Sequence, residues 1–202
     1  MVGESDWEAL EIAADELFRW AGCSLDATPL EVASSLGIRV IELHSHLPGW
    51  AALARVRSEW RIYVRPHLGE QRLRWAIAHE VGEWALSRDG YRGSDREAAA
   101  DALAARVIAP RRRFLSVLAK CGRDTVRLAS VLKATESLAA LRLGEVTGEP
   151  LALVTPESVR TRGAAYDWPT AEKLRELAAD PRPGLAKARL RDDPRRVVIR
   201  AI

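Results

Sequence analysis

Three runs with strand character, IRVIEL (38–43), AALARV (51–56) and WRIYV (60–64), fall close together, and the pattern on either side of them is helical. A local group of strands flanked by helices is the α+β arrangement. The last two runs are joined by Arg57-Ser58-Glu59 and read as a hairpin, which Pro66 ends because proline cannot donate to a ladder. Before them, Ser5-Asp6-Trp7-Glu8 opens an amphipathic helix that Gly22 can stop, and Thr28-Pro29-Leu30-Glu31 is a capping box with proline at the first helical position. After them a helix is expected over 69–87, with Leu73, Ile77 and Trp84 on one stripe. Asp89-Gly90 breaks it, and Ser94-Asp95-Arg96-Glu97 opens another helix that ends before Pro110. Helical segments follow at 111–120, 123–132 and 134–144, then a strand-like LALV (151–154). Beyond Thr155 the pattern weakens to one helix near 170–179 and a terminal VVIR, and reads as a tail wrapped on the rest.

A chain of 202 residues with 48% hydrophobic content can bury a core of one domain with a small appendage. No stretch approaches the ~18 apolar residues of a membrane span. The N-terminus, MVGESDWEALEIAADEL, has neither the basic start nor the apolar run of a signal peptide. Two cysteines, Cys23 and Cys121, exclude a disulfide framework or a cysteine-rich zinc module. These features predict a soluble, cytoplasmic protein. The net charge of +3 is too small to imply nucleic acid, and Asp192 and Asp193 interrupt the basic tail.

The segment Ile77-Ala78-His79-Glu80-Val81-Gly82-Glu83-Trp84 carries the chemistry. At ~100° per helical residue, His79 and Glu83 share one face and Glu80 lies between that face and the apolar stripe. Two ligands at i and i+4 are how a helix grips a metal, with the intervening glutamate placed to activate a water. On an exposed helix the same two residues would merely pair with each other. A third ligand is available in Glu97, on the next helix, which a short loop would bring back antiparallel. Asp101, one turn on, is placed to bond the other imidazole nitrogen of His79 and set its tautomer. Glu97 also occupies the capping-box position after Ser94, which explains its presence without a metal, but Asp101 lies beside Ala100, Ala102 and Leu103 and has no such explanation.

RLRWAIAHEVGEW (72–84) resembles the segment running into the metal-binding helix of the ImmA/IrrE family of metallo-endopeptidases, and EAAADALAARVIAP (97–110) resembles that family's next helix. TPLEVASSLGIRV (28–40), the Leu47-Pro48-Gly49 turn and the hairpin come in the family's order, and LASVLKATESLAALRLGEV (128–146) is similar to its helix-turn-helix-like segment. The resemblance, over roughly residues 6–146, implies a zincin-like core over 1–110 (a small antiparallel sheet with metal-binding helices) and a helix-turn-helix-like region over 111–146, and leaves 147–202 as a C-terminal extension of unknown role. It implies His79 and Glu97 as metal ligands, Glu80 as general base and Asp101 in support of His79. The activity implied is metal-dependent cleavage of a helix-turn-helix transcriptional repressor, part of stress or mobile-element responses. Glu83 departs from the pattern, which has histidine there. A carboxylate can bind zinc at that spacing, but two carboxylates make the set more oxygen-rich, so manganese or iron competes with zinc, and catalysis stands in question. The alternatives are a catalytically impaired relative that binds a protein partner, and a DNA-binding regulator using 123–146.

Four residues have weaker claims. Tyr91, between the two motif helices, is a candidate oxyanion donor, and His67, just before the first, a candidate substrate contact. His44 and His46 flank Ser45 and would supply a substitute ligand only if the fold brought them close. Direct nucleic-acid binding is not expected, because Lys133 and Arg142 are the only basic residues near helix 134–144.

Overall fold

The computed structural model describes residues 4–88, 90–91, 95–155, 159–162, 171–179, 185–189 and 197–201. The chain divides into two compact units, Met1–Arg113 and Phe114–Ile202.

In the first unit the order is α1 (Glu4–Ala21), α2 (Pro29–Ser35), β1 (Arg39–Glu42), β2 (Ala51–Val56), β3 (Glu59–Val64), α3 (Glu70–Arg88) and α4 (Arg96–Ile108). The capping box of α2 forms as the sequence predicts: Thr28 Oγ1 accepts from the Glu31 amide at 3.2 Å and Glu31 Oε2 accepts from the Thr28 amide at 2.6 Å. Gly22, at φ +63°, stops α1 in the left-handed conformation that a side chain resists. The sheet order is β1-β3-β2. The hairpin β2–β3 is antiparallel with Leu53 opposite Ile62, whereas β1 runs parallel to β3. The expected antiparallel sheet is therefore mixed: a hairpin strand inserts between β1 and the edge strand β2.

Helix α3 lies at the centre of this unit. It packs on α2, α4, β2 and β3, so Arg74, Ala76, Ile77, Ala78, Glu80, Val81, Gly82, Trp84, Ala85 and Leu86 are buried on most of its circumference. The stripe of Leu73, Ile77 and Trp84 is only part of this buried surface, because a helix covered on several sides loses its amphipathic signature. Gly82 allows the closest approach. A Cβ built there would meet the Ala100 carbonyl oxygen at 3.0 Å and Leu103 Cβ at 3.3 Å, so α4 lies directly against the backbone of α3. An interior glycine costs a helix about 1 kcal/mol relative to alanine; here it buys helix contact. On the far side of α4, Arg106 is almost fully buried and its guanidinium meets Glu11 of α1 at 3.0 Å.

The second unit contains most of α5 (Arg111–Cys121), then α6 (Thr125–Leu132), α7 (Glu136–Thr147), β4 (Leu151–Val154), β5 (Val159–Arg162), α8 (Ala171–Ala179), β6 (Leu185–Arg189) and β7 (Val197–Ala201). The segment after Thr155 is not a wrapping tail. It completes a four-stranded sheet of order β5-β4-β7-β6. Strand alternation sends Leu151, Leu153 and Val198 into one cluster with Ala140 of α7, and Ala152, Val154, Val197 and Ile199 into another with Leu174 and Ala178 of α8. Both faces are covered, which is why LALV is apolar at every position. Lys133, in the left-handed conformation at φ 51°, ends α6 and starts the turn into α7. None of the residues of α7 is exposed, and the helix packs on β4 and β5, so the helix that would read a major groove lies against its own sheet.

Candidate metal centre

The contact of α3 with α4 through Gly82 brings the two motif segments together. His79 faces across the crossing: its Nε2 is 3.5 Å from Glu97 Oε2, and its Nδ1 is 3.0 Å from Asp101 Oδ1. An ionised carboxylate only accepts, so Nδ1 carries the hydrogen and Nε2 presents its lone pair on the Glu97 side. Ligand atoms of His79, Glu83 and Glu97 lie within 4.8 Å of one another, which makes these three residues a possible metal site. The N-cap of α4 is Asp95, whose Oδ1 accepts from the Ala98 amide at 3.1 Å. Asp95 replaces the expected Ser94, which lies outside the described residues, and the change frees Glu97 from the capping-box position. Its side chain is 84% exposed and stands at the open side of the cluster.

The donor set fits a divalent cation on three counts. It offers one imidazole nitrogen and two carboxylates, all suitable ligands for zinc and for harder ions. Glu83 Oε1 is a buried oxygen with no hydrogen-bond partner, a costly arrangement for an anion unless a cation meets it. Ligand atoms of a tetrahedral zinc ion lie ~3.4 Å apart, so the set has to close by about an ångström at its widest, and exposed Glu97 has room to supply it.

Glu80 lies beside the cluster on the buried side of α3. Burial is the largest influence on its carboxyl and pushes it above the ordinary carboxylate value; the nearby His79 and a hydrogen bond from the Leu53 backbone oppose this. Leu53 is on β2, at the edge of the sheet, so a strand as well as the helices holds Glu80 in place. His79 is raised above 6.5, first by the hydrogen bond to Asp101. A histidine raised by folding stabilises the fold fully below 6.5 and loses that contribution as pH rises through its folded value. Asp101→Asn removes the main cause. Denaturant midpoints of the metal-free protein should therefore fall less steeply above pH 6.5 in Asp101→Asn than in wild type; parallel profiles would show that Asp101 does not hold the proton on His79.

None of the other sequence candidates is among the three clustered ligands. His67 is exposed in the turn before α3 and has φ 61°. Tyr91 is 40% exposed, and its amide donates to Leu86 O at 3.0 Å at the end of α3. His44 and His46 are exposed in the loop after β1, outside the His79 cluster. Two residues the sequence reading did not single out shape the site. Gly82 was detectable as an isolated glycine inside a helix. Arg96 had only its position beside Glu97 to mark it, yet it bonds Glu83 Oε2 at 2.6 Å.

Residues 33–144 match the model of the IrrE N-terminal-like domain, a peptidase family, over more than half of the chain. The chain belongs to the IrrE N-terminal-like family. That family carries metallo-endopeptidase-type and regulator functions and is typically metal-dependent. The structure is also similar to that of a Mycobacterium tuberculosis transcriptional regulator, with a TM-score of 0.60 at 16% identity over 95% of this chain and 86% of that one, a likeness of fold. Among curated proteins none matches the sequence. In this IrrE N-terminal-like chain the matched residues include both α3 and α4, and so every residue of the candidate metal centre. No described helix is long and apolar enough to cross a membrane.

Proposed function

We propose that the protein is a metal-dependent endopeptidase whose substrate is a helix-turn-helix transcriptional repressor. His79, Glu83 and Glu97 are the metal ligands, Glu80 the general base, and Asp101 the residue that orients His79. The observation that carries this reading is the meeting of His79, Glu83 and Glu97 at one point of the α3–α4 crossing, with buried Glu80 beside them. A cation held there supplies Lewis acidity toward a peptide carbonyl and toward water. The protein's own groups do the rest. Asp101 keeps the His79 proton on Nδ1, and Glu80, made more basic by burial, takes a proton from the attacking water and returns it to the departing amine. Edge strand β2, which fixes Glu80 through Leu53, is suited to hold an extended peptide by strand addition. Tyr91 and His67 are the residues offered for oxyanion or substrate contact.

The second reading, a family member that binds a regulator without cutting it, draws on the hold of Arg96 on Glu83. Elemental analysis of protein purified without chelator or histidine tag separates the two. The peptidase reading expects about one equivalent of zinc, manganese or iron, lost in His79→Ala and Glu97→Ala, and fragments when the loaded protein meets the repressor encoded beside its gene. No metal after reconstitution would leave the binding reading.

A further inference from the structure

The two carboxylate oxygens of Glu83 have different surroundings. Its Oε2 is held by Arg96 Nε at 2.6 Å, while its Oε1 is buried and has no hydrogen-bond partner. Arg96 is the first residue of α4, and its Nη2 also donates to the Glu83 carbonyl oxygen at 3.0 Å and to Ser87 Oγ. Ser87 Oγ in turn donates to the same Glu83 carbonyl at 2.8 Å. One guanidinium fork therefore reaches three acceptors on the last two turns of α3. The Glu83 side chain is 16% exposed and that of Arg96 41% exposed, so the carboxylate is the more buried partner. An anion so placed, beside Glu80 and Glu97, needs a fixed cation of its own.

We infer that Arg96 is a positioning residue for the metal centre: it holds Glu83 by one oxygen, leaves the other for the cation, and cancels the extra charge that a carboxylate brings at this position. His79, Glu83 and Glu97 together carry −2, and with Arg96 the sum is −1, the charge a set of two neutral imidazoles and one carboxylate has. Glu83 and Arg96 act as a matched pair. This assignment rests on the metal centre proposed above, and it makes a claim that proposal does not: histidine at position 83 is favourable only if Arg96 is removed as well. Beside a neutral imidazole the guanidinium has lost its carboxylate and only repels the cation.

The test is zinc affinity, measured with zinc alone against a competing chelator, for wild type, Arg96→Ala, Glu83→His and the double variant. Groups that orient metal ligands are worth about 10–100-fold in affinity, and Arg96→Ala should lose that much in the native background. In the Glu83→His background the same change should strengthen zinc binding. An equal loss in both backgrounds would mean that Arg96 only staples α4 to α3, and no loss in the native background would mean that it does not position Glu83; either result overturns the assignment. Circular dichroism and thermal midpoints are recorded beside each affinity. If Arg96→Ala does not fold, Arg96→Lys replaces it in both backgrounds, because an ammonium keeps the charge without the fork and should still weaken zinc binding to the native chain and not to Glu83→His. Wild type that takes up no zinc, manganese or ferrous iron overturns the metal centre together with this assignment, whereas wild type that binds and Arg96 variants that bind equally overturn this assignment alone.

Discussion

If Glu80 is the general base proposed above, Glu80→Gln should lower substrate cleavage by about 10²–10⁴-fold, the range expected for loss of a positioned base, while metal content should stay at the wild-type level. The amide oxygen of glutamine still accepts the hydrogen bond from Leu53, so the geometry against β2 survives, but no group remains to take the proton. Stability should move the other way. Burial raises the Glu80 carboxyl above 4.5, so the folded state binds its proton more tightly than the unfolded chain does. The stability this group contributes is therefore present below 4.5 and is lost as pH rises through the folded value. The neutral amide removes that loss, and metal-free Glu80→Gln should be at least as stable as wild type at neutral pH. Cleavage rates, elemental analysis and denaturant midpoints on the same preparation check all three statements. A variant that still cuts at the wild-type rate would remove Glu80 from the mechanism, and one that loses metal would make it a ligand.

Gly82→Val should destabilise the first unit by about 1–3 kcal/mol, as overpacking does in a tight core, and should abolish the metal uptake proposed for the α3–α4 crossing. The added carbons would enter a space where a Cβ alone already meets the Ala100 carbonyl oxygen at 3.0 Å and Leu103 Cβ at 3.3 Å. A backbone oxygen cannot turn aside as a flexible side chain would, so α4 must move away from α3. Movement of α4 carries Glu97, Asp101 and Arg96 away from His79 and Glu83, because the two groups sit on opposite helices. Gly82→Ala is the sharper comparison. At an open helix position this change stabilises by about 1 kcal/mol; here it should destabilise. Denaturant midpoints with metal titration read both variants, and a Gly82→Val protein as stable as wild type with unchanged metal uptake would show that the crossing is not set by this glycine.

What the sequence carries clearly is whatever depends on a local period. The i, i+4 spacing puts His79 beside Glu83 and Glu97 beside Asp101 in any helix, and the residues that start α2 and stop α1 act within a few positions of themselves. The hairpin is legible for the same reason, since two alternating runs close together are a short-range signal, although the structure pairs Glu59 with Val56 and leaves a turn of two residues rather than the expected three. The second sheet is different. Its outer strands, VRTR and LAKAR, carry the charges with which edge strands avoid unwanted pairing, and those charges hide the alternation that identifies a strand. LALV has the opposite difficulty, being apolar on both faces because α7 and α8 cover both.

The sequence by itself determined the order of helices and strands in the first unit and the face on which each motif residue stands. Tertiary structure alone decided that β1 runs parallel to β3, that Asp95 rather than Ser94 caps α4, that the C-terminal segment builds a sheet, and that Glu83 takes Arg96 as its partner. The cap is a choice between neighbouring residues, but the other three share one physical reason. A side chain's direction follows from its own backbone period, but its partner depends on how closely two distant backbones approach, and in the first unit that distance is set by one missing Cβ at Gly82.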